Sequence, residues 1–216
     1  MDGDCADLPA LCELRDRFDA ILIVDEAHAT GVLGDSGAGL AEAQGVAGRV
    51  DVTISTAGKA LGSLGGIITA ARPVIETIIN SARSFIYTTA APPTQAAAID
   101  AALDVIAAEP HRRHRLHERI KQARNLFQQS GWPVADDPTP IIPLIVGDND
   151  GALALSARLE SAGFFAPAIR PPTVAPGAAR VRLSLRADME PQDIEGLAQA
   201  VGSPPESGGA TTIPIP

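Results

Sequence analysis

Lys59 lies in the run Ser55-Thr56-Ala57-Gly58-Lys59-Ala60-Leu61-Gly62, among small uncharged residues, and upstream of it an apolar run ends in acid, Ile21-Leu22-Ile23-Val24-Asp25-Glu26-Ala27-His28. Desolvation favours the neutral amine of a lysine, the form that condenses with an aldehyde, and the small neighbours of Lys59 predict such desolvation. A carboxylate at a strand end, as Asp25 would be, can hold a pyridine nitrogen protonated, which turns the ring into an electron sink for a substrate carbanion. Lysine and carboxylate together are what a pyridoxal 5'-phosphate site needs. Taken singly, Lys59 reads as an exposed structural lysine and Asp25 as a strand-end turn residue. The apolar run decides between these readings, because ligands of open α/β sheets gather at the carboxyl ends of strands, where Asp25 and His28 would project.

The elements that must position these residues follow from periodicity. Leu11, Leu14 and Phe18 recur at helical spacing and predict a short helix feeding a buried strand, 21–24. Further strands are expected at 52–56 and 66–69, with Gly31, Gly34, Gly37 and Gly39 forming a flexible crossover whose spacing is not that of a dinucleotide loop. The proline pair Pro92-Pro93 opens an alanine-rich helix reaching 108, and Leu116, Ile120, Ala123 and Phe127 mark one face of the next helix, which ends near Gly131. A smaller domain then reads strand, helix, strand, strand, helix: strands 141–146, 164–169 and 181–185, and helices 150–162 and 191–201 stopped by Gly163 and Gly202. The stretch from Ser203 to the end has no apolar period and is expected to be a disordered tail, so the division is 1–109, 110–202 and 203–216.

Composition narrows the classes. The 216 residues are 45% hydrophobic, enough for a folded core, and the net charge of −9 works against binding nucleic acid or anionic membranes. No apolar run approaches the ~20 residues of a membrane span, and the acidic start, with Asp2, Asp4 and Asp7, lacks a basic signal head, so the default location is cytoplasmic. Cys5 and Cys12 are the two cysteines and indicate neither a zinc cluster nor a disulfide framework. His111, His114 and His117 repeat every third residue, but the interleaved arginines disfavour a dication, and a solvated helix start is the better reading.

Several stretches resemble one family, the α-oxoamine synthases of the fold-type I pyridoxal phosphate enzymes. They are Met1-Asp2-Gly3-Asp4, Val24-Asp25-Glu26-Ala27-His28-Ala29-Thr30-Gly31, Thr56-Ala57-Gly58-Lys59 and Ile86-Tyr87-Thr88-Thr89-Ala90-Ala91-Pro92-Pro93, and the likeness runs to about residue 201. Pro143 to Asn149 and Ala168 to Val174 look most like the members that join L-alanine to a pimeloyl thioester on the way to biotin; those making aminolevulinate, aminoketobutyrate or ketosphinganine match there less well. The resemblance implies an α/β fold: the carboxy-terminal part of a transferase large domain, with a mixed, mostly parallel sheet, followed by a small α+β domain. It implies an acyltransferase acting as a homodimer, with the acyl group carried by coenzyme A or a carrier protein. Lys59 would be the covalent anchor and proton-transfer base, Asp25 the partner of the ring nitrogen, and His28 that of the phenolic oxygen. Thr56 would meet the cofactor phosphate, Thr89 the phosphate of the neighbouring subunit, and Arg182 the amino acid carboxylate, for which a guanidinium fork is suited. The Arg170-Pro171-Pro172-Thr173 turn would border the acyl channel.

Against that family the match starts internally, so an amino-terminal half, with the residue stacked on the ring and much of the dimer contact, is expected to be absent and activity to be impaired. Alternatives are another α-oxoamine synthase, of the 2-amino-3-ketobutyrate ligase type, or an inactive remnant or partner subunit. A nucleotide-driven motor is disfavoured: Val24-Asp25-Glu26-Ala27-His28 spells the metal-binding strand of a DEAH helicase, but Thr53 and Ala60 break the phosphate loop that must accompany it.

Overall fold

A computed structural model describes residues 1–205; the part of the expected tail from 206 onward lies outside the described residues. The chain forms two compact units, Cys5–Arg113, and Met1–Asp4 together with the chain from His114 onward.

In the first unit, α1 (Leu8–Phe18) starts at Asp7, whose Oδ1 accepts the Ala10 amide at 3.0 Å, and stops at Asp19 in the left-handed region. The helix is where periodicity puts it, but its faces are reversed: Leu8 and Cys12 are buried, while Leu11, Leu14 and Phe18 are exposed. The reason is electrostatic as well as apolar. Arg15 shares the Leu8–Cys12 face and donates to Asp51 at 2.7 and 3.1 Å, and Asp51 also accepts the Leu22 amide at 2.9 Å. Leu8 and Cys12 thereby join Val24, Ala41 and Val46 in one core cluster. Strand β1 (Ile23–Asp25) begins later than expected and buries only Val24, with Ile21 and Ile23 exposed.

β1 runs parallel to β2 (Val52–Thr56), and β2 is antiparallel to β3 (Gly66–Ala70), giving a mixed sheet of order β1-β2-β3. Between β1 and β2 lie a single-turn helix, α2 (Leu40–Ala43), and a 3-10 turn, Ala47–Arg49. Beyond β3 come α3 (Arg72–Ser81), α4 (Arg83–Ile86) and α5 (Pro93–Ala108). The sequence reading assigns nothing to α3 and α4. Val74, Ile75, Thr77, Ile78 and Ile79 are β-branched, so their propensity argues against the helix that the fold makes there.

The second unit is antiparallel. Strands β4 (Ile141–Gly147), β5 (Ala168–Ile169) and β6 (Ala179–Ser184) stand in the order β4-β6-β5, and α7 (Asn149–Ser161) packs on all three and on α8 (Pro191–Val201). α6 (His111–Gln129), inside which the two units meet in sequence, buries Leu116, Ile120, Ala123 and Phe127, the face its periodicity marks. Asp148 caps α7, a Glu190–Asp193 capping box starts α8, and Gly163 and Gly202 follow the two helix ends. β5 is shorter than the expected 164–169. Pro167 has no N–H to give to a ladder; its carbonyl accepts the Arg182 amide at 3.2 Å, and the carbonyl of Ala166 is taken by Ser156 Oγ at 2.6 Å, so the chain leaves the sheet there.

Met1–Asp4 belongs to this second unit through two contacts: the Thr139 hydroxyl donates to the Gly3 carbonyl at 2.5 Å, and the buried Arg180 guanidinium pairs with the Asp2 carboxylate. Glycine is required at position 3, since φ is +77° and a Cβ would lie 2.3 Å from the Ile141 carbonyl oxygen. No helix among the described residues is long and apolar enough to cross a membrane.

Candidate active site

The parallel pairing of β1 and β2, with Asp25 opposite Ile54, sends the chain out of both strands at the same sheet edge. The ladder is extended by one bond, Glu26 N–H to the Ile54 carbonyl at 2.7 Å. The turn carrying Asp25 and His28 therefore lies beside the turn carrying Thr56 and Lys59, the placement expected of ligand-binding strand ends.

Asp25 and His28 are exposed, and Asp25 Oδ1 accepts the Ala27 amide at 2.8 Å, which sets the direction of the carboxylate. Its neighbour Glu26 does different work. Glu26 is 1% exposed and accepts the Leu40 and Ala41 amides at 2.8 Å each, closing the start of α2. A carboxylate committed to two buried amides is not a solvent-facing metal ligand, which removes the second acid that the helicase reading needs.

The Lys59 turn is anchored from beneath. Ala57 and Leu61 are buried, Ser63 N–H donates to the Ala57 carbonyl at 2.7 Å, and Ala57 N–H donates to the Gly65 carbonyl at 2.9 Å. Gln95, in the first turn of α5, donates to the Leu64 carbonyl at 2.5 Å. This frame pushes Gly58, Lys59 and Ala60 outward. Lys59 is exposed and its Nζ donates to Thr56 Oγ1 at 3.2 Å. The expected desolvation of Lys59 is thus not met within its own unit: side chains as short as those of Gly58 and Ala60 cannot cover a four-carbon stem and its amine.

The glycine-rich crossover, expected to be flexible, is tied down. The Glu42 carboxylate accepts the Ser36 and Ala38 amides at 3.0 and 2.9 Å, and Arg113 donates to the carbonyls of Ile106 and Asp35 at 2.7 Å each. Burial pushes the Glu42 carboxyl upward, but the Ala38 and Ser36 N–H donors outweigh it and hold the group below the usual carboxylate range.

Thr89 is exposed in the extended segment between α4 and α5, and no hydrogen bond joins it to Thr56 or Lys59. Arg182 belongs to the second unit, where it stands half-buried on β6 beside a hollow of about 540 Å³ walled in part by Phe164, Ile169, Met189 and Leu197. Arg180, two residues earlier, is paired with Asp2, whereas the Arg182 guanidinium makes no hydrogen bond or ion pair with any described residue. Sequence reasoning missed Glu26, Gln95, Thr30 and Ser55 as framework of the site. Each acts through a contact distant in sequence, for which no local pattern exists.

The family model for aminotransferase class I and II matches residues 1–201, and the chain belongs to that family; its fold is that of the pyridoxal phosphate-dependent transferases. Among curated relatives, it is 46% identical over 211 residues to an 8-amino-7-oxononanoate synthase of Anaeromyxobacter dehalogenans, covering 95% of this chain and 53% of that protein. It is 46% identical over 207 residues to the enzyme of the same name from Ralstonia pickettii, covering 93% and 50%. Among solved structures, a serine palmitoyltransferase from S. paucimobilis with bound PLP-myriocin aldimine superposes with a TM-score of 0.88 at 25% identity, over 93% of this chain and 51% of that one. The 8-amino-7-oxononanoate synthase of Francisella tularensis gives 0.82 at 26% identity, over 93% and 58%. The chain spans about half the length of the curated relatives it matches. The family resemblance and the α/β fold class read from the sequence are borne out.

Proposed function

We propose that the chain is the lysine-bearing portion of an 8-amino-7-oxononanoate synthase, which condenses L-alanine with a pimeloyl thioester, releasing carbon dioxide and the thiol carrier. The observation that carries this reading is the pairing of the Asp25–His28 turn with the Thr56–Lys59 turn at the ends of two parallel strands. A carboxylate, an imidazole, a hydroxyl and a primary amine in adjacent turns suit pyridoxal 5'-phosphate in kind. Asp25 fits its ring nitrogen, His28 its phenolic oxygen, Thr56 its phosphate and Lys59 its aldehyde carbon. When bound, that group supplies the electron sink for the carbanion at the amino acid Cα. With that group bound, Asp25 would hold the ring nitrogen protonated, and Lys59 Nζ would move the proton at Cα, a role open to an amine held at hydrogen-bonding reach of Thr56 rather than in an ion pair.

Arg182 receives the alanine carboxylate. A half-buried guanidinium beside apolar walls and without a partner among the described residues gains most from a bidentate anion. Thr89 serves the neighbouring copy of a homodimer, and the reaction belongs to the cytoplasm. Substituting Arg182 with Ala should weaken alanine capture by at least about ten-fold, the worth of one charge-assisted pair, while leaving cofactor affinity intact; equal loss of both would mean misfolding.

A second reading, a chain that keeps the fold without the activity, is favoured by the exposure of Lys59, Asp25 and His28. One experiment separates the two. The purified chain is incubated with pyridoxal phosphate, reduced with borohydride and mapped by mass spectrometry, and alanine-dependent turnover is then assayed. Selective label at Lys59 with turnover supports the synthase. Label scattered over Lys59 and Lys121 and no turnover supports the inactive fold.

A further inference from the structure

We propose that Thr30 and Ser55 are positioning residues, a strut that holds the Asp25–His28 turn in register with the Thr56–Lys59 turn; the inference rests on the cofactor site proposed above. Thr30 Oγ1 lies 3.0 Å from the Glu26 carbonyl oxygen and 2.8 Å from Ser55 Oγ. A carbonyl only accepts, so the single hydroxyl proton of Thr30 goes to Glu26, and Ser55 must donate to Thr30. The bonds then run one way, Ser55 to Thr30 to Glu26, an order in which each bond polarises the next. The same Glu26 carbonyl accepts the Ala29 and Thr30 amides at 2.9 and 2.8 Å, while Glu26 N–H donates to Ile54. The turn after Asp25 is thereby fastened to β2 at Ile54 through its backbone and at Ser55 through a side chain.

A second contact lies on the far side of the lysine. Gly31 has φ +78°, and a Cβ there would stand 2.9 Å from Ala60 Cβ and 3.1 Å from Ile106 Cδ1. The end of the first turn thus rests directly on the residue that follows Lys59. The two contacts bracket the second turn, one residue before Thr56 and one residue after Lys59.

Asp25 and Lys59 need such a frame because their own bonds are local, to the Ala27 amide and to Thr56 Oγ1, and fix nothing between them. A rigid ring that must meet the carboxylate at its nitrogen and the amine at its aldehyde requires their separation to be set in advance. A misplacement of about 1 Å at such a site can cost on the order of 10²-fold in rate.

The test uses the full chain with Thr30→Val, Ser55→Ala, their combination, and Thr30→Ser. Amide hydrogen exchange followed by mass spectrometry should show segments 27–31 and 56–60 opening together, about two- to ten-fold faster in either single variant, the worth of one net hydrogen bond. The double variant should exchange no faster than the singles, Thr30→Ser should restore the wild-type rate, and α7 and α8 should be unaffected. Titration with pyridoxal phosphate should show a matching loss of affinity, again rescued by Thr30→Ser. Unchanged exchange in the two segments, effects that multiply in the double variant, or faster exchange with full cofactor affinity would each overturn the strut. If the wild-type chain takes up no cofactor, the functional reading falls, and the exchange pattern alone then decides for or against the strut.

Discussion

The unit Cys5–Arg113 carries the amine, the carboxylate and the imidazole, yet α3, α4 and α5 within it contain no buried residue, and Val74, Ile79, Phe85, Leu103 and Val105 are exposed. The other unit packs α7 on all three strands of an antiparallel sheet and on α8, and buries Phe127, Ile142, Leu144, Leu159, Val181, Ile194 and Val201 completely. A side chain stabilises a fold in proportion to the apolar area it removes from water. The second unit therefore draws more heavily on side-chain burial, while the first buries fewer apolar groups, the Leu8–Cys12–Val24–Ala41–Val46 cluster together with Val32, Leu33, Val52, Ala57 and Leu61 among them, and adds hydrogen bonds around its turns. Chemistry-bearing residues sit where the apolar support is thinner.

The largest expected effect separates the units by their cores. Phe127→Ala should destabilise its unit by about 3–5 kcal/mol, the cost of emptying a fully buried aromatic site. Phe85→Ala, on exposed α4, should stay within about 0.5 kcal/mol. Urea unfolding followed by hydrogen exchange in each unit reads both. A Phe85 variant as damaged as the Phe127 variant would show that the exposed helices are packed in solution, and the contrast would be gone.

The next effect works inside the first unit, between neighbouring acids. Glu26→Ala should cost about 1–3 kcal/mol because it leaves the Leu40 and Ala41 amides without their acceptor. Asp25→Ala removes an exposed carboxylate with one local bond and should leave the melting curve nearly in place, while abolishing selective labelling of Lys59. Thermal unfolding of both variants, beside the labelling experiment, tells structural acid from chemical acid. If the two were equally unstable, Asp25 would be framework as well.

The same contrast explains what the sequence made legible. The face of α6 could be read because Leu116, Ile120, Ala123 and Phe127 share one helical period and one core. The positions of the candidate residues Asp25 and Lys59, at the end of β1 and in the turn after β2, could be read because a strand end and a small-residue turn are local patterns. The reversal of α1 could not. Which side of that helix is buried depends on Asp51, far along the chain, drawing in Arg15. Nor could the truncation of β5, which turns on Ser156 reaching the Ala166 carbonyl from α7. The surroundings of Lys59 could not be read either: small neighbours are compatible with burial, but they supply no atoms to cover an amine, and Lys59 is exposed.

The smallest expected effect tests whether the first unit does rely on polar ties. Asp51 is held below the usual carboxylate range first by its bonds from Arg15 and then by the Leu22 amide. A carboxyl whose folded value is depressed stabilises the fold fully above its unfolded value, near 4, and loses that contribution as pH falls through the folded value. Asp51→Asn should therefore melt below the wild type at pH 7, and the gap should begin to narrow only below about pH 4 and close as pH falls through the lower, folded value, where the wild-type carboxylate is protonated in the folded state too. Added salt should narrow the gap at neutral pH, since both partners are part-exposed. A gap that ignores pH and salt would mean that Asp51 holds Arg15 and Leu22 by shape and neutral hydrogen bonding. The burial of Leu8 and Cys12 would then orient α1 without help from charge.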